Sequence, residues 1–89
     1  MAASSFPPTC LITGTSDELV PYEASFRMFE AITQAGAKAE LHAYEGLPHG
    51  FDAMSEYGRQ TAQIQALFLE RHVLNPRVVT LPVAAAAAG

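Results

Sequence analysis

The sequence predicts an α/β fold, with elements in the order strand, helix, strand, helix and the two strands parallel. Three observations carry this. Thr9-Cys10-Leu11-Ile12-Thr13 is a short, apolar, partly β-branched run that stops at Gly14, the pattern of a strand covered on both faces. Tyr22, Phe26, Phe29 and Ile32 recur at spacings of four, three and three, which lays one apolar stripe along a helix. Ala39-Glu40-Leu41-His42-Ala43-Tyr44 alternates and is less apolar, as a strand near a sheet edge does. A helix between two strands makes a right-handed βαβ unit, and such a unit sets its strands parallel.

The elements follow in order. Residues 1–8 read as loop, because Pro7-Pro8 excludes both helix and interior strand. After the first strand, Gly14-Thr15-Ser16-Asp17-Glu18 is a loop. Pro21 is predicted to open the helix, where its missing N–H costs nothing. Glu23 lies in the first turn, where a negative charge complements the helix dipole. Gly36 ends the helix at the position after its C-cap. The second strand runs into Glu45-Gly46-Leu47-Pro48-His49-Gly50-Phe51, a loop with one histidine among turn-forming glycines. Ser55 is the predicted N-cap of a last helix over 56–73. Its apolar face is Tyr57, Thr61, Ile64, Phe68 and His72, widened by Leu67. Gly58 weakens its first turn, and Asn75-Pro76 stops it. Val78-Val79-Thr80-Leu81 has the composition to pair with a free edge, but Pro82 and the alanines at 84–88 do not sustain structure, since helix nucleation is too costly for so short a run. Residues 1–76 are thus one partial domain, and 77–89 a flexible alanine-rich tail.

Eighty-nine residues make one small domain at most, with a thin stability margin. A net charge of −4, with 49% of residues hydrophobic, marks a globular chain and speaks against nucleic acid or an anionic membrane as partner. The single cysteine, Cys10, lies in an apolar run and reads as a small buried side chain. No signal pattern or apolar span near 20 residues is present, so a cytoplasmic location is the expectation.

Function is concentrated where the two loops meet. Parallel strands end on the same edge, so the loop bearing Asp17 and the loop bearing His49 emerge together, at the edge where open α/β sheets place ligands. A histidine, with an ordinary pKa of about 6.5, takes and returns a proton near neutral pH. A carboxylate on its other nitrogen fixes the tautomer and stabilises the imidazolium. The same residues also allow a plainer role, with Asp17 capping a turn and His49 decorating a loop. His42, in mid-strand, reads as an ordinary packed or surface histidine. No HExxH, CxxC, Walker loop or GxGxxG occurs, so no cofactor or metal is expected. Gly14-Thr15-Ser16 lacks the second glycine of a nucleophile elbow, and Ser16 is not read as a nucleophile.

Two stretches carry a resemblance. Pro7-Pro8-Thr9-Cys10-Leu11-Ile12-Thr13-Gly14-Thr15-Ser16-Asp17 resembles the run before the triad acid near the C-terminus of α/β-hydrolases. Glu40 through Phe51 resembles their last strand and catalytic-histidine loop. The match is closest to hormone-sensitive-lipase-like esterases, and Asp17-Glu18-Leu19-Val20-Pro21 also resembles dienelactone hydrolases and prolyl-oligopeptidase-like enzymes. The resemblance covers about residues 6–76 and implies a C-terminal βαβα fragment of an α/β-hydrolase parallel sheet, acting on small-molecule esters. It implies that Asp17 is the triad acid and His49 the base. The GxSxG nucleophile and the HGGG-type oxyanion motif of that family have no counterpart here, so the chain alone is expected to be inactive. An uncovered sheet edge also allows another role, that of a non-catalytic module that self-associates or binds a missing N-terminal portion.

Overall fold

The computed structural model describes residues 6–82. Strand β1 (Thr9–Gly14) is followed by helix α1 (Tyr22–Gln34), strand β2 (Ala39–Tyr44), a 3₁₀ turn (Phe51–Ala53), helix α2 (Ser55–Leu69) and a π-helical turn (Glu70–Leu74). The two strands pair parallel and in simple register, Thr9 opposite Ala39 through Gly14 opposite Tyr44. This is the expected βαβα arrangement.

Local chemistry sets the element ends. Pro21 is the N-cap of α1 and not its first helical residue; its carbonyl accepts from the Ala24 N–H at 3.0 Å. At the other end Gly36 takes φ 87°. Its N–H donates to the Thr33 carbonyl, and the Ala37 N–H donates to that of Ile32. This is a Schellman closure, which requires the left-handed conformation that glycine adopts without strain. Helix α2 begins one residue earlier than expected. Met54, extended at φ −75° and ψ 129°, is its N-cap, and Ser55 is already helical. The 3₁₀ turn closes with the Met54 N–H on the Phe51 carbonyl, so it feeds directly into α2 and leaves Ser55 no capping position. Gly58 has a role beyond weakening a turn, since a Cβ there would lie 2.4 Å from the Asp52 carbonyl oxygen. The helix predicted to run through Val73 changes at Glu70 to π geometry, closed by the Asn75 N–H on the Glu70 carbonyl at 2.8 Å.

The core is thin. Ile32, Phe51 and Phe68 are the buried hydrophobic residues among those described, and Thr13 and Thr61 the buried polar ones. The α2 stripe holds through Thr61 and Phe68, but Leu67 is exposed. On α1 only Ile32 is buried, while Tyr22 and Phe26 are exposed. The reason is breadth: a two-stranded sheet is too narrow to cover the whole stripe. The same shortage corrects the expectation for β1. It is half-buried over Thr9–Ile12, and Cys10 with it, because β2 pairs with one of its edges and nothing described pairs with the other. Val78, Val79 and Leu81 are exposed and form no strand on that edge. The alanine run at 84–88 lies outside the described residues. No helix among the described residues is long and apolar enough to cross a membrane.

Candidate active site

The loops after β1 and β2 are stitched together by backbone and side-chain hydrogen bonds. The Thr15 N–H donates to the Tyr44 carbonyl at 2.9 Å and the Ser16 N–H to that of Leu47 at 3.1 Å. The Thr15 Oγ1 accepts from the Gly46 N–H at 2.7 Å. Gly14 makes this approach possible, because a Cβ on it would stand 2.1 Å from the Leu47 carbonyl oxygen. Real Cβ atoms do not tolerate such a contact with backbone, so Gly14→Ala must push the loops apart. We expect that substitution to cost about 1–3 kcal/mol, the usual range for overpacking, read as a lower midpoint in urea unfolding.

Asp17 uses its two carboxylate oxygens differently. Oδ1 accepts from the Leu19 N–H at 2.9 Å and the Val20 N–H at 2.8 Å. Oδ2 meets Nδ1 of His49 at 2.9 Å. The capping role and the pairing role therefore coexist in one side chain. The Val20 N–H, joined by His49 and the Leu19 N–H, outweighs desolvation and holds the Asp17 carboxyl below its usual range. An ionised carboxylate only accepts, so His49 donates from Nδ1, which in a neutral imidazole puts the lone pair on Nε2. The Asp17 side chain is 10% exposed and that of His49 52%, which leaves the imidazole open toward solvent. Gly50, at φ 74°, turns the chain after His49. Phe51 then anchors the loop, its ring 4.9 Å from that of Tyr44 and 6.0 Å from that of Tyr57. A cavity of about 240 Å³ opens beside the pair, lined by Thr13, Gly14, Asp17, His49, Phe51 and Thr61 among others. Ser16 joins this loop network through its backbone N–H, and among the described residues its hydroxyl makes no hydrogen bond to His49.

The sequence profile of the prolyl oligopeptidase family matches residues 2–75. The chain belongs to that family. Its fold is that of a segment of an α/β-hydrolase. Among solved structures it is similar to the esterase Est2 of Thermogutta terrifontis with propionate bound, at 30% identity and a TM-score of 0.72, over 81% of this chain and 28% of that one. The same esterase phosphorylated by paraoxon superposes with a TM-score of 0.69 over 80% of this chain. Among curated relatives, the isoprenylcysteine α-carbonyl methylesterase of Arabidopsis thaliana is 44% identical over 48 residues, 54% of this chain and 11% of that protein. A non-reducing polyketide synthase of Emericella nidulans, pkbA, is 41% identical over 49 residues, which is 2% of its length. The chain thus spans a small part of each relative it matches. Of the groups its motifs resemble, the profile selects the prolyl oligopeptidases, and the superposed structures are esterases.

One cluster escaped the sequence reading. Cys10, Glu40 and His42 bring a thiol, a carboxylate and an imidazole within 4.8 Å of one another. No linear motif marks them. The signal is register, because Cys10 stands opposite Glu40 and His42 is two residues further along β2 on the same face. His42 is half-buried, as an ordinary packed histidine is, with Nε2 2.9 Å from Oε2 of Glu40.

Proposed function

We propose that this prolyl oligopeptidase family chain supplies the acid and base of a serine-hydrolase triad acting on carboxylic esters. Asp17 orients His49. Nε2 of His49 takes the proton of a serine hydroxyl as that oxygen attacks the acyl carbon, then returns it to the departing alcohol. The serine stands outside these residues, in polypeptide that contributes a GxSxG elbow. The observation that carries the reading is the 2.9 Å contact between Asp17 Oδ2 and His49 Nδ1, with no hydrogen bond to the other imidazole nitrogen among the described residues. The esterase relatives support the bond type, and the cavity beside His49 supports a small acyl group.

The experiment is an assay of a short-chain aryl ester with this chain alone, and again after fusion to an N-terminal half bearing GxSxG. The chain alone is expected to be near inert and the fusion active. Serine-hydrolase turnover by the lone chain overturns the placement of the nucleophile.

A second reading has its own support in the unpaired outer edge of β1. In it the chain is a non-catalytic module that associates through that edge, by main-chain hydrogen bonding. A defined dimer across a concentration series, with no esterase activity in a folded fusion, favours this reading over the first.

Asp17 carries a pH signature. Its carboxyl is held below the ordinary range in the folded chain. Its contribution to stability is therefore complete above the unfolded value of about 3.9 and fades as pH falls through the lower folded value. Asp17→Asn should accordingly destabilise the chain at neutral pH, and the gap to the unsubstituted chain should close in strong acid. Unfolding curves for both forms at the two pH values test this.

A further inference from the structure

Cys10 and Glu40 face each other across β1 and β2, three and more residues before the strand ends that carry the Asp17 and His49 loops. With His42 they present three different ligand types toward one point. Nε2 of His42 lies 2.9 Å from Oε2 of Glu40. The other oxygen of that carboxylate, Oε1, is 3.5 Å from Nη1 of Arg71, which the π turn brings over the strand. We propose that Cys10, Glu40 and His42 form a binding site for a divalent, borderline-soft metal ion such as Zn²⁺.

Four points support it. Thiolate, imidazole and carboxylate are the donors zinc takes, at about 2.3, 2.0 and 2.1 Å, which sets ligand atoms roughly 3.5 Å apart. Nε2 of His42 and Oε2 of Glu40, 2.9 Å apart, need to part slightly, and Sγ of Cys10, within 4.8 Å of a ligand atom of each, needs to approach by up to about 1 Å, changes within reach of rotamer adjustment on half-buried strand positions. The metal takes the place of the hydrogen bond between Nε2 of His42 and Oε2 of Glu40, and a neutral imidazole bound through Nε2 holds its proton on Nδ1. Binding also releases the thiol proton, so a dipositive ion, a thiolate and a carboxylate sum to zero charge. Arg71 on Oε1 supplies the outer partner that ligating carboxylates commonly have. Cys10 also lines a groove of about 510 Å³ with Pro8, Ile12, Phe68 and Leu69, through which an ion can reach the thiol.

The test uses Co²⁺ as probe on chelator-treated chain. We expect a saturable thiolate-to-cobalt charge-transfer band at one ion per chain, displaced by Zn²⁺. The band should vanish in Cys10→Ala, and affinity should fall tenfold or more in His42→Gln. It should be retained in His49→Gln. Far-UV circular dichroism establishes that each variant is folded. A measurement on the unsubstituted chain is independent of that control: Zn²⁺ should slow alkylation of Cys10, the one cysteine present. Absence of the band, its survival in folded Cys10→Ala, its loss in His49→Gln, or unchanged alkylation with Zn²⁺ overturns the proposal.

Discussion

Replacing His49 by alanine in a fusion that carries the nucleophile lowers kcat for an aryl ester by about 10⁴-fold or more, the scale set by removing the base of a triad. The base is the one group that handles the proton in both halves of the reaction. Without it the serine must attack as a neutral hydroxyl. The His49 side chain is 52% exposed and fills no core position, and far-UV circular dichroism of the variant separates the kinetic loss from any change in the fold. Asp17 acts through His49, so the double variant Asp17→Asn/His49→Ala should be no slower than His49→Ala alone. Multiplying losses would mean that Asp17 acts by another route. Undiminished turnover in His49→Ala rejects the proposed role of His49.

Phe51→Ala should be the most damaging substitution for stability. Phe51 is 6% exposed and is one of three buried hydrophobic residues among those described. Its ring packs on Tyr44 and Tyr57. Truncating a buried phenylalanine costs about 3–5 kcal/mol, against a total of about 5–15 kcal/mol for a typical domain. A core this thin offers little to collapse into the space. The expected result is a large drop in the urea midpoint with an unchanged slope. Phe51→Leu, which keeps most of the apolar volume, should recover much of the loss. Because Phe51 follows Gly50 directly, the same truncation frees the His49 loop, and the His49 ring signals should broaden or shift in NMR spectra of Phe51→Ala.

Much of this was legible in the residues. The apolar run stopped by Gly14, the helical stripe ending at Gly36 and the alternation over Ala39–Tyr44 specify βαβ, and the parallel strands then send Asp17 and His49 to one edge. What stayed hidden depends on three-dimensional approach. Gly14 and Gly58 read as a loop former and a helix weakener, yet each admits a backbone carbonyl, that of Leu47 at Gly14 and that of Asp52 at Gly58. Tyr22 and Phe26 fit a buried stripe, and only the width of the sheet shows that they are uncovered. Cys10 lies thirty residues before Glu40 and thirty-two before His42, on the other strand, so strand register alone brings it to them. The π turn at Glu70–Leu74 has no marker in the sequence that we can identify.

The bonds joining the two loops, from Thr15 to Tyr44 and Gly46 and from Ser16 to Leu47, all begin and end within residues 15–47. A genetic crossover ahead of Thr9 leaves every one of them inside a single inherited block. The approach of His49 to Asp17 would then be inherited with that block and would not have to be rebuilt for each new neighbour.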